Sequence, residues 1–112
     1  MKRIEIKKEL GSDIVTREHG EKLRRLVEEG WEADSVTVDF DGLQVNSVSF
    51  FDEAFGQLAL LYGEEELRRK VRFEGLDKFD QALVSDIIGS RSREARKRAM
   101  SSREARRRAA NS

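Results

Sequence analysis

Residues 35–63 read SVTVDFDGLQVNSVSFFDEAFGQLALLYG, and the fold follows from how this stretch divides. Val36, Val38 and Phe40 alternate with Thr37 and Asp39, the period-two pattern of a strand built from β-favouring residues. Asp41-Gly42 breaks that pattern with turn chemistry. After a polar loop that includes Asn46 and Ser47, Ser49 stands directly before Phe50 and Phe51. Asp52 lies three residues further on, an acidic variant of the capping-box spacing, so this reading makes Ser49 the N-cap. Phe51, Ala54, Phe55, Leu58, Leu61 and Tyr62 follow at helical spacing and form the expected buried stripe. Gly63 is expected to end the helix in a left-handed conformation.

Working outward toward the N-terminus, residues 3–7 alternate with Ile4 and Ile6 on one face, which predicts a first strand. Gly11-Ser12-Asp13 is a turn cluster, and Ile14-Val15 are expected to add a short strand. Thr16 then caps a helix whose apolar positions are Leu23, Leu26 and Val27, ended by Gly30. Lys22, Arg24, Arg25, Glu28 and Glu29 make its solvated face. Trp31 is expected to close one end of the core.

Toward the C-terminus, Glu64-Glu65-Glu66 and Arg68-Arg69-Lys70 form a short helical block with acids leading and bases trailing, the order the helix dipole favours. Val71 and Phe73 alternate with Arg72 and Glu74 in another strand. Gly75-Leu76-Asp77 turns into a helix carrying Phe79, Leu83, Ile87 and Ile88, with Gly89 as its expected end. Strands alternating with helices call for an α/β fold, a mostly parallel or mixed sheet of three to four strands with right-handed crossovers. A sheet this small leaves an edge thinly covered, where a homodimer or another partner is expected to add.

The 112 residues suit one small domain, here residues 1–89, followed by a basic helical or disordered tail of residues 90–112. The formal net charge of zero hides a division. Residues 1–90 hold 13 basic against 20 acidic groups, a net of −7, and residues 91–112 hold 9 against 2, a net of +7. The tail repeats itself, with SREARKRA from Ser92 recurring ten residues later as SREARRRA from Ser102. Its basic residues Arg91, Arg93, Arg96, Lys97, Arg98, Arg103, Arg106, Arg107 and Arg108 are candidates for gripping nucleic-acid phosphates, or for docking on an acidic surface. With no cysteine there is neither a disulfide framework nor a thiolate metal site. A chain that enters charged residues at once, with no apolar run of membrane-spanning length, is expected to be cytoplasmic and off the membrane.

The strand, acidic residue, short turn and helix-opening serine of residues 35–63 resemble the STAS fold of sulfate transporters and anti-sigma factor antagonists. Ser49-Phe50-Phe51-Asp52-Glu53 is similar to the Ser-Phe-x-Asp-Glu run that opens the same helix in a STAS-like family of bacterial proteins whose function is not established. The similarity spans roughly residues 2 to 89, by the motif order described. In anti-sigma factor antagonists that helix starts with Asp-Ser-Ser-Gly, whose second serine is phosphorylated by a partner kinase. Ser47, Val48, Ser49 and Phe50 stand at those places, so the resemblance implies Ser49, with Ser47 beside it, as phosphoacceptor candidates. It further implies a regulatory module without enzymatic activity, whose partner is a kinase-like ATPase. Asp41, Asn46, Ser47, Ser49, Asp52 and Glu53 are the candidate partner-binding residues.

Enzymatic constellations are scarce. His19 is the only histidine and no serine is paired with it by sequence logic. Asp39, Asp41, Asp52 and Glu53 could gather a magnesium ion in principle, but the expectation is that Asp39 and Asp41 serve turn amides and Asp52 the helix start, with no metal. No phosphate loop or dinucleotide fingerprint is present, and no cofactor is expected.

Overall fold

The computed structural model describes residues 1–12 and 16–110, with side chains as far as Ala99. The strand expected at Ile14-Val15 lies outside the described residues. Three short strands, β1 (Lys2–Glu5), β2 (Val36–Asp39) and β3 (Val71–Glu74), pair in parallel in the order β1-β2-β3. Their register sets residues in rows: Lys2, Val36 and Val71; Arg3, Thr37 and Arg72; Ile4, Val38 and Phe73; Glu5, Asp39 and Glu74. Side chains alternate across a strand, so the first and third rows share one face and the second and fourth share the other. Ile4, Val36, Val38 and Val71 are buried while Arg3, Glu5, Arg72 and Glu74 are exposed, so a single face carries the core. The helices pack on that face, as right-handed crossovers advancing in one direction require.

The first strand is shorter than the alternation suggested. Ile6 is fully buried in a single helical turn, α1 (Ile6–Glu9), instead of prolonging the sheet. Helix α2 (Arg17–Glu29) starts as expected, with the Thr16 hydroxyl accepting from the His19 backbone N–H at 3.3 Å, and buries Leu23 and Val27. The central helix is built of α3 (Val48–Phe51), a π-helical turn (Asp52–Gly56) and α4 (Gln57–Tyr62). Helix α5 (Glu64–Lys70) and the long α6 (Lys78–Ala110) complete the chain.

The π turn corrects the expected stripe of the central helix. An extra residue per turn advances the helix phase, so Phe50, Phe51, Asp52, Ala54, Phe55, Leu58 and Ala59 are all buried, whereas Leu61 is 65% exposed. Tyr62 also leaves the core and stacks on Trp31, with ring centroids 4.3 Å apart. Phe40, Phe50 and Phe51 meet edge to face inside, and Phe55 does the same with Phe73 at 4.8 Å. Gly63 has the expected positive φ of 88°, but its ψ of 154° lies outside the left-handed helical region. Only glycine takes that conformation readily.

Helix α6 does not end at Gly89. It runs for 33 residues, about 50 Å at 1.5 Å per residue, and sets the 57 Å long dimension of the molecule. Asp80, Val84, Ile88 and Ser92 are its buried positions among the described residues, Leu83 and Ile87 are partly buried, and Phe79, expected inside, is 62% exposed. Among the described residues no helix is long and apolar enough to cross a membrane.

Candidate functional site

The three strands run in parallel, so their C-terminal ends and the starts of α2, α3 and α6 gather at one end of the sheet, the usual place for sites in open α/β sheets. The loop from β2 to α3 occupies this end. Asp41, Gly42 and Asn46 take positive φ values of 50°, 75° and 46°, so the backbone is tightly turned there. Backbone and side-chain contacts hold it. The Asp39 carboxylate accepts from the Asp41 N–H at 2.9 Å, and the Gly42 N–H donates to the Gly75 carbonyl at 3.0 Å. The Asp80 carboxylate, 1% exposed, accepts from the backbone N–H groups of Val45 at 2.8 Å and Asn46 at 2.9 Å. Asp77 in turn caps α6 by accepting from the Asp80 N–H at 2.8 Å.

The loop delivers the chain into α3 at Ser47, not at Ser49. The Ser47 hydroxyl accepts from the Phe50 N–H at 3.2 Å and its backbone is extended, so Ser47 is the N-cap and Ser49 is the second helical residue, half buried. Both serines have the right chemistry for a cap. The helix therefore starts two residues earlier than a cap at Ser49 would allow, with Phe50 and Phe51 both buried in its first turn. Around this start the surface carries two exposed apolar side chains, Val48 at 59% and Phe79 at 62%. Phe79 lines a shallow depression with Gln44, Asn46 and Asp77.

Asp52 does not serve the helix start. The π turn points its carboxylate toward α6, where the Arg91 guanidinium meets it in a bidentate pair, Nε to Oδ1 at 2.7 Å and Nη2 to Oδ2 at 2.6 Å. Hydrogen bonding from Arg91 holds the Asp52 carboxyl below its ordinary value of 3.8, against the opposing effect of burial, and the Arg91 guanidinium is held more firmly protonated in return. Gly56 makes the contact feasible, since a Cβ there would run into the Asp52 carboxylate and into Arg91 and Ile87. Glu53 turns the other way, to α2. It accepts from Arg24 at 3.1 Å and Arg17 at 3.3 Å, and Arg24 also donates to the Glu53 carbonyl at 2.9 Å. Arg24, expected in a solvated face, is thus a bridge between α2 and the central helix.

Among the sequence candidates, Asp41, Asn46, Ser47 and Ser49 are brought together at the strand ends, with Asp41 paired to Lys7 at 3.5 Å. Asp52 and Glu53 are adjacent in sequence yet face opposite helices. In the tail candidates, Arg91 is held by Asp52 and Glu94, Arg98 pairs with Glu94 at 2.6 Å, and Arg96 lies 4.0 Å from Glu64. Arg93 and Lys97 are exposed, while the side chains of Arg103, Arg106, Arg107 and Arg108 lie outside the described residues. His19 Nδ1 is 2.7 Å from the Thr16 hydroxyl, within the α2 cap. Among the described residues no group of three or more His, Cys, Asp or Glu is placed to hold a metal ion.

Asp80 is the residue the sequence reading missed. Its signal was the spacing Asp77-x-x-Asp80 before an apolar helix, the same capping pattern that was assigned to Ser49 and Asp52. What the spacing cannot reveal is a carboxylate shared with a loop 35 residues earlier. No curated protein and no solved structure matches the chain. A family model described as a STAS-like domain of unknown function (DUF4325) matches residues 19–81, which include the β2–α3 loop, Ser47, Ser49 and Asp80. A parallel sheet, a helix opening on a serine and a family match over more than half its length agree, and the chain belongs to this STAS-like domain family.

Proposed function

We propose that the protein is a non-enzymatic, cytoplasmic regulatory module that binds a protein partner through the β2–α3 loop and the start of the central helix. The observation that carries this reading is the pairing of exposed Val48 and Phe79 with a loop held in a strained shape by a buried Asp80. Exposed apolar groups on a preorganised backbone favour partner docking, because little entropy is lost on binding. Asp41 and Asn46 supply the polar rim. The partner class that fits the family resemblance is a kinase-like ATPase. Ser49 is the residue through which such a partner would switch binding. A phosphate there brings roughly −1.5 to −2 charges. It would stand one turn before Glu53 and compete for Arg17 and Arg24.

The nucleic-acid reading of the tail has less support, since Arg91, Arg96 and Arg98 are already engaged by acids of the same chain. The test is affinity capture from the host with the full chain and with a Val48→Asp, Phe79→Asp double variant. Both side chains are exposed, so the fold is retained, which circular dichroism checks. Loss of a specific protein from the variant eluate is expected. Its full retention refutes the docking site. Mass spectrometry of the native protein tests the switch, with a Ser49 phosphopeptide expected. If Ser49 is never modified and Ser49→Asp leaves capture unchanged, the switch is withdrawn while the docking site stands.

A further inference from the structure

We infer that the free edge of β3 pairs with β3 of a second copy, antiparallel about Phe73, so that two chains share one continuous sheet around a two-fold axis. The backbone sets the register. The Glu74 carbonyl accepts from the Phe40 N–H at 2.9 Å, so Glu74 and Arg72 direct their main-chain groups at β2. Their alternate, Phe73, directs its N–H and C=O outward. Phe73 of one copy and Phe73 of the other can therefore exchange N–H to O=C bonds in both directions.

Charge follows from that register. With Phe73 at the axis, Arg72 of each copy stands opposite Glu74 of the other, on the polar face of the sheet. Opposite charges directly across a strand pair are favourable. Both groups have the capacity. Arg72 is exposed and makes no ion pair among the described residues, and Glu74 shares a single cation, Arg3, with Asp39, at 2.9 and 2.8 Å.

The other face supplies apolar area. Beside the β3 edge lies a groove of about 290 Å³ whose floor is Phe73, Leu76, Val84 and Ile88, with Arg68 and Ser85 joined across its rim at 3.2 Å. Phe73 is only partly covered within its own chain. Four-residue strands alone would bury too little surface for a stable pair, and the two grooves brought together at the axis add what the strands lack. The opposite edge lacks these features. In β1, Ile4 is 2% exposed and Arg3, which would face Glu5 of the other copy, is already committed to two carboxylates, so a pairing about Ile4 would gain no apolar burial.

Sedimentation equilibrium of the full chain from about 1 μM to about 1 mM tests the inference. A monomer–dimer equilibrium is expected, weakened in about 1 M salt, where exposed pairs are screened. Arg72→Glu and Glu74→Arg, each creating like charges twice across the axis, should weaken dimerisation about tenfold or more. The double variant Arg72→Glu, Glu74→Arg restores opposite charges in the same register and should recover the dimer. A chain that is monomeric at every concentration overturns the proposal, as does a dimer that neither single reversal weakens. Capture of an extended peptide at this edge by a monomeric chain would assign the edge to a different partner and equally overturn it.

Discussion

Replacing Arg91 with alanine tests whether the Asp52–Arg91 pair fastens α6 to the body. The Asp52 side chain is 12% and that of Arg91 31% exposed, and the two hydrogen bonds are 2.7 and 2.6 Å. Losing one partner of a fully buried pair costs about 3–5 kcal/mol. Hydrogen bonds to charged groups contribute about 1.5–3 kcal/mol. Arg91 is nearly one-third open to water, which lowers the expectation to about 2 kcal/mol after allowance for solvent screening. With an unfolding entropy of about 2.1 cal/mol/K per residue, that loss lowers Tm by about 9 °C for a chain of this length. Urea denaturation followed by circular dichroism and by Trp31 fluorescence measures it.

The pH dependence separates this cause from a general loss of packing. Asp52 has a folded-state pKa below 3.8, so its contribution in the wild type is present above that value and is lost as pH falls through the depressed one. Without Arg91 the larger remaining influence is burial, which raises the pKa, against a weaker lowering by Arg17. The variant is then penalised above its raised pKa and relieved below it. The stability gap between wild type and Arg91→Ala should therefore narrow as pH falls from about 6 to about 3. A loss under about 0.5 kcal/mol, within the range of ordinary surface substitutions, or a gap constant across that range would refute the reasoning.

Ser47→Ala should cost about 1 kcal/mol through loss of the cap, whereas Ser49→Ala should stay within about 0.5 kcal/mol; urea midpoints rank the two, and the reverse order would return the cap to Ser49. Asp80→Ala leaves the buried Val45 N–H and the partly buried Asn46 N–H without their acceptor and should cost about 2 kcal/mol, read by the same titration together with faster amide exchange at Val45 and Asn46. Gly89→Ala should stabilise by up to about 1 kcal/mol, because Gly89 is a mid-helix position and a Cβ there would meet only the end of Arg93, at 3.4 Å. A destabilised Gly89→Ala would mean that α6 needs a break at this point.

The strands and their direction were legible because period-two alternation is local, as in Val71-Arg72-Phe73-Glu74, and because helices between strands leave little choice but a parallel sheet. Thr16 was legible as a cap for the same reason, with one hydroxyl in one suitable place. Where two serines offered the same chemistry, local pattern could not choose, and the structure places the cap at Ser47, whose hydroxyl accepts from the Phe50 N–H. The π turn left no trace in composition. It moved Leu61 and Tyr62 out of the core and turned Asp52 toward α6, so both errors in the central helix have one source. Arg91 read as the first residue of a basic tail because its acid lies 39 positions away.

The continuity of α6 through Gly89 follows from contacts on either side of it. A glycine costs about 1 kcal/mol in a helix relative to alanine, which a frayed end would not withstand. Here Ile88 is buried immediately before it, Ser92 is buried three residues after it, and Arg91 is held by Asp52 between them. Helix continuation is thus the condition for placing Arg91 and Ser92 where they are, and those contacts outweigh the local preference. Near the start of the same helix stands Asp80, whose carboxylate holds the β2–α3 loop. One rigid element therefore joins the loop at the strand ends to the π turn of the central helix, about 16 Å along its axis at 1.5 Å per residue. Asp80 ties the loop to the start of α6, and Asp52 ties the central helix to the same helix further along.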